Sequence, residues 1–100
     1  MNANEIRNIT NNAIKAQDAY RAKVLARNFE DIVNGFVLPA AEMGHNHASF
    51  NRAHITTGGV WAMREMMEAL ANAFHKAGYD VAHYVDPMTE YRTDVIILEW

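Results

Sequence analysis

Ile6, Ile9, Ala13, Ala16, Tyr20, Val24 and Leu25, then Phe29, Ile32 and Val33, place apolar side chains mostly three or four positions apart. That spacing is one stripe of a long amphipathic helix. At roughly 1.5 Å per residue, a helix from about 4 to 34 reaches on the order of 45 Å, more than a small domain's diameter. Part of it is therefore expected to lie against another chain, and a homo-oligomer is the expected state. Gly35 and Pro39 interrupt the pattern. Glycine weakens a helix interior, and proline lacks an N–H and disfavours helix at the residue before it. A kink is expected there, with a short helical piece ending near Gly44.

The 100 residues make a single domain, 1–100, with half of them hydrophobic and 21% charged, an ordinary globular balance. Val60, Met63, Met67, Leu70, Phe74 and Ala77 form a second helical stripe, closed by Gly78 as a left-handed cap, with Tyr79 placed to pack back on Phe74. Residues 45–55 alternate weakly and read as a strand. "YDVAHYV" and "YRTDVIILEW", separated by "DPMTE", read as an antiparallel hairpin. The unbroken Val95 to Leu98 run points to a central strand covered on both faces. The expected class is α+β: a long kinked N-terminal helix, a strand, a helix and a C-terminal β-hairpin, building a small, mainly antiparallel sheet.

Charge removes several classes of partner. Lys+Arg 9 against Asp+Glu 12 gives a net charge of -3, so no global footprint for duplex DNA or an anionic membrane exists. Residues 1–30 lean basic and 79–100 lean acidic, as solvated faces do. Cysteine is absent, which excludes disulfides, thiolate zinc sites and a cysteine nucleophile and suits a reducing compartment. "MNANEIRNIT" lacks the pattern of a secretory leader, and no apolar run is long enough to span a bilayer. Cytoplasm is the expected location, that of a host cell if the chain is phage-encoded.

"GHNHASF" after the kinked helix, "HKAGYDV" at the end of the second helix and the terminal "VIILEW" resemble a broad class of small phage-encoded accessory proteins. In that class a long N-terminal helix leads through a Gly-led strand to a helix ending in a Gly-Tyr-x-Val segment and a last strand closed by Trp. Gly78, Tyr79, Val81 and Trp100 carry the resemblance. It implies a phage origin and no particular activity, since the class is largely without assigned function, and no site residue is carried over from it.

The chemistry-bearing stretch is "GHNHASFNRAHITTGGVWAMREM". His45, His47 and His54 match the number of ligands zinc takes, but on one regular strand His45 and His47 share a face that His54 does not. A polar strand without metal is the favoured reading, and no cofactor is expected. Thr56, Thr57, Gly58 and Gly59 stand where a second helix would open. There Thr57 would cap the helix, or free N–H groups would cradle a phosphate with Arg52 and His54 adding charge. Plain capping is the simpler alternative. Ser49 lacks the setting of a nucleophile, and Glu65 and Glu68 read as a solvated pair. Trp61 falls off the second stripe and reads as a packing group on the long helix or as an interface anchor, with Met66 and Tyr20 as companions.

The expected function is non-enzymatic binding by a phage-like accessory protein. The concrete form is an oligomer that sequesters a phosphate-bearing small molecule, such as a nucleotide signal, at Arg52, His54, Thr56, Thr57, Gly58 and Gly59. Two alternatives stand beside it. One is a host-defence inhibitor that meets a host protein through Trp61 and the long helix. The other is a small metal-dependent hydrolase built on His45 and His47.

Overall fold

A computed structural model describes residues 1–89 and 92–100. Glu90 and Tyr91, at the end of the expected turn and the start of the expected last strand, lie outside the described residues, as do the side chains of Arg92 and Thr93. Helix α1 runs Ala3–Ile32 and begins where the Asn2 side chain accepts from the Glu5 N–H at 2.9 Å. Only its C-terminal third is packed. Val24, Asn28 and Ile32, each four residues on, are buried, whereas every residue from 1 to 20 is exposed.

The expected kink takes a specific form. Val33–Val37 is a π-helical turn, in which the Leu38 N–H bonds the Val33 carbonyl, and α2, Leu38–Glu42, continues from it with Pro39 in its first turn. Pro39 has no N–H to offer to an α-helical partner, so the wider turn costs fewer bonds here than it would elsewhere. Gly44, at φ +84°, turns the chain into strand β1, His47–Phe50.

A 3₁₀ turn, Arg52–His54, and a loop lead to helix α3, Met63–Lys76. Its end is the one expected: Gly78 has φ +99°, the Tyr79 N–H bonds the Phe74 carbonyl at 3.1 Å, and the Tyr79 and Phe74 rings meet edge-on at 5.4 Å. Strands β2, Asp80–Val85, and β3, Arg92–Glu99, pair antiparallel, and β1 pairs antiparallel with the other edge of β3, giving the order β1-β3-β2. The fold is α+β, with the element order read from the sequence.

The core lies between α3 on one side and both α1 and the sheet on the other. Phe74 stacks on Phe29 at 4.2 Å and packs against Phe50 at 5.8 Å, while Leu70, Ile96 and Leu98 are fully enclosed. β3 is the central strand, as its apolar run suggested, but Ile96 and Leu98 are buried while Val95 and Ile97 are only half-buried. The expectation of cover on both faces is therefore corrected: α3 shields one face, and the alternation of the pleat leaves the other partly open. The molecule measures 61 × 34 × 21 Å, the long dimension reflecting the uncovered part of α1.

Candidate ligand cavity

The six residues expected to form one anion site do not assemble. The Thr-Thr-Gly-Gly segment does not open α3, which starts at Met63 with Ala62 as its cap and no capping side chain. Gly58 and Gly59 have φ of +61° and +74°, values that cannot continue into a right-handed helix. The segment instead closes over α1. Asn28 Nδ2 donates to the Thr56 carbonyl at 2.7 Å and Asn28 Oδ1 accepts from the Thr56 N–H at 3.1 Å. Thr57 Oγ1 accepts from the Gly59 N–H at 3.4 Å, a local turn bond in place of a helix cap.

Arg52 and His54 are held apart from that loop by the 3₁₀ turn. Asn51 Oδ1 accepts from the Ala53 N–H at 2.9 Å, and the Asn51 N–H donates to His54 Nδ1 at 3.2 Å. His54 then lies edge-on to Phe36 at 4.6 Å. Arg52 faces the other way, toward β3, where its Nη1 stands 3.5 Å from Asp94 Oδ2. His45 and His47 bring their rings to 5.7 Å, but among the described residues no group of three or more His, Cys, Asp or Glu side chains is placed to hold a metal.

Two of the residues assigned to an interface are used inside the fold. Met66 is fully buried, against the expectation that it faces outward, because α3 is covered by α1 as well as by the sheet and its buried arc is wider than one stripe. Trp61 is half-buried, its Nε1 donates to the Arg21 carbonyl at 3.0 Å, and the Arg21 guanidinium lies 4.2 Å from the indole ring centre. Of its two expected roles, packing on the long helix is the one observed. Tyr20 remains 48% exposed.

What the fold does bring together is a cavity of about 340 Å³ at the open end of the layer between α3 and the sheet. Met63, Met67 and Ile96 give it an apolar floor, and Arg52, Arg64, Glu68, His83 and Asp94 supply its polar groups. Local structure explains each position. Arg64 and Glu68 are one turn apart on α3, with Arg64 Nε 3.7 Å from Glu68 Oε1. Asp94 and Ile96 share a face of β3 because side chains alternate, and His83 stands opposite Ile96 in the register of β2. The ion pairs Arg52–Asp94 and Arg64–Glu68 are long and their side chains are 60–92% exposed, so each is a weak surface contact that a better partner can displace.

Arg64, Glu68, His83 and Asp94 were missed as site residues. Glu68 read as half of a solvated pair with Glu65 and His83 as an ordinary strand residue, and Arg52 meets these residues only through the pairing of β1 and β2 with β3 and the packing of α3 on the sheet. The i, i+4 spacing of Arg64 and Glu68 was the one local signal available. Compared with protein-family models, with curated proteins and with solved structures, the chain matches none.

Proposed function

We propose that the protein is a non-enzymatic binding protein whose cavity at the start of α3 takes a small molecule with a phosphate group and a flat apolar body, a nucleotide being the natural form. The observation that carries the reading is the convergence of Arg52 and Arg64, from separate elements, on one cavity beside a helix start that no side chain caps. Guanidinium groups match phosphate oxygens in pairs, and the N-terminal end of a helix favours negative charge. A ligand phosphate replaces the loosely held Asp94 and Glu68 carboxylates, and the methionine and isoleucine floor receives the base. The volume is that of a small-molecule site.

The earlier patch survives here only through Arg52. In a phage-encoded protein such binding would withdraw a host nucleotide signal, a task that needs no catalytic group. Titration calorimetry against a panel of mono-, di- and cyclic nucleotides tests it. One member should bind, with affinity reduced about tenfold or more in Arg52→Ala and Arg64→Ala, the cost of losing a charged hydrogen bond. Absence of binding across the panel, or affinity indifferent to both arginines, overturns it.

A further inference from the structure

The uncovered part of α1 is the largest structural fact the cavity leaves unused. From Ala3 to Tyr20 no residue is buried, yet Ile6, Ile9 and Tyr20 are 50%, 54% and 48% exposed along a stripe that also contains Ala13 and Ala16. Asn4, Asn8, Thr10, Asn11 and Asn12 are poor helix formers, so the first half of this stretch is a marginal helix in water without a covering surface.

We propose that this surface is a second copy of the same arm, paired antiparallel so that Ile6 meets Ala16 and Ile9 meets Ala13 of the partner. Spacings of three and four between Ile6, Ile9, Ala13, Ala16 and Tyr20 make alternate a and d positions of a coiled-coil seam. In an antiparallel pair a faces d, and this register sets a large side chain against a small one at every central layer. The next register in one direction would set Ile9 against Tyr20 and Ala13 against Ala16, crowding one layer and leaving another empty, and both faults cost stability.

Two further features of the chain fit the same pairing. Flanking the seam, positions 3, 5, 10, 12, 17 and 19 are Ala, Glu, Thr, Asn, Gln and Ala, so Glu5 is the one charge there and faces Ala19 of the other chain. Arg7, Lys15 and Asp18 fall outside the seam, and two identical arms meet without like-charge repulsion. The seam also stops where it must. Gly58 sits against Tyr20 and Val24, a Cβ there being 3.2 Å from the Tyr20 hydroxyl and 2.8 Å from Val24 Cγ2, so the loop occupies the stripe beyond Tyr20. An arm ending at the partner's Tyr20 uses the whole free length and leaves both ligand cavities outside the seam.

Sedimentation equilibrium with chemical cross-linking tests the pairing. Wild-type protein should be a dimer, Ile9→Glu a monomer, and Ile14→Gln still a dimer, because Ile14 lies about 120° round the helix from the seam at 100° per residue. Because the chain has no cysteine, Ile9→Cys and Ala13→Cys variants can be mixed under mild oxidation. Antiparallel pairing gives mainly the mixed disulfide between the two variants. A monomeric wild type, or disulfides that join only like variants, overturns the proposal; the cross-linking outcome does not depend on whether Ile9→Glu keeps its arm helical.

Discussion

Asn28 and Thr56 are bound by two hydrogen bonds, 2.7 Å from Asn28 Nδ2 to the Thr56 carbonyl and 3.1 Å from the Thr56 N–H to Asn28 Oδ1, so that one side-chain amide pairs with the backbone as a neighbouring strand would. Asn28 is 2% exposed and is the buried polar residue of the described core. Through it the loop before α3 is fixed to α1, and with the loop the position at which α3 begins. Asn28→Ala should cost about 1–3 kcal/mol, the penalty for leaving partly buried backbone groups unpaired. Urea unfolding followed by circular dichroism measures it, and a loss near zero would mean that water replaces the amide.

Gly58→Ala and Gly59→Ala should differ although both residues have positive φ. At Gly59 nothing lies within 4 Å of an added Cβ, and only the backbone preference is lost, about 1–2 kcal/mol. At Gly58 the new methyl meets Val24 Cγ2 at 2.8 Å as well, and Val24 is one of the buried anchors of α1. Gly58→Ala should therefore show the lower melting temperature of the two.

Trp61→Phe keeps an aromatic face for Arg21 and deletes the bond from Nε1 to the Arg21 carbonyl. A loss of about 0.5–1.5 kcal/mol is expected, the net worth of one hydrogen bond, and Trp61→Ala should cost more by removing the packing too. Denaturant titration of the pair separates the two contributions.

Met66→Ala should be the costliest methionine substitution in α3, about 2–5 kcal/mol, because its side chain is fully enclosed and touches Asn28 through sulfur, at 3.6 Å from Nδ2. Met63→Ala, half-buried at the cavity floor, should cost less stability. Equal thermal shifts for the two would place α3 differently from the arrangement described.

Arg52→Ala and Arg64→Ala should leave the unfolding midpoint unchanged while weakening ligand binding, since their ion pairs are exposed and longer than a strong hydrogen bond. A thermal melt of each variant without ligand provides the comparison, and a marked drop would make the arginines structural.

The legible parts of the sequence were those in which neighbouring residues carry the whole signal. Gly78 and Tyr79 closed the second helix because a left-handed cap and its hydrophobic contact are local, and the Val95 to Leu98 run identified the central strand by composition. The start of the same helix was misplaced. Thr57-Gly58-Gly59 looks like a cap and first turn, but Asn28, far away in the chain, holds Thr56 against α1, and both glycines take positive φ. Met66 was misjudged for a related reason, one stripe being counted where two layers bury the helix, whereas the packing of Trp61 on the long helix was one of its two expected roles. The cavity was legible only through Arg52, because its other walls meet it across the strand pairing and the packing of α3 on the sheet, not along the chain.

The π-helical turn has a mechanical consequence. Burial on the long helix steps by four from Val24 to Asn28 to Ile32, then by five to Val37. The extra residue resets the phase of the helix, so that everything after it is turned by about one residue's rotation, roughly 100°. Deleting Gly35 would restore an unbroken α-helical ladder up to Pro39 and at the same time swing α2 and the Gly44 corner round the axis, aiming β1 away from the edge of β3. The placing of β1 beside β3 thus depends on one extra residue in the helix that precedes it.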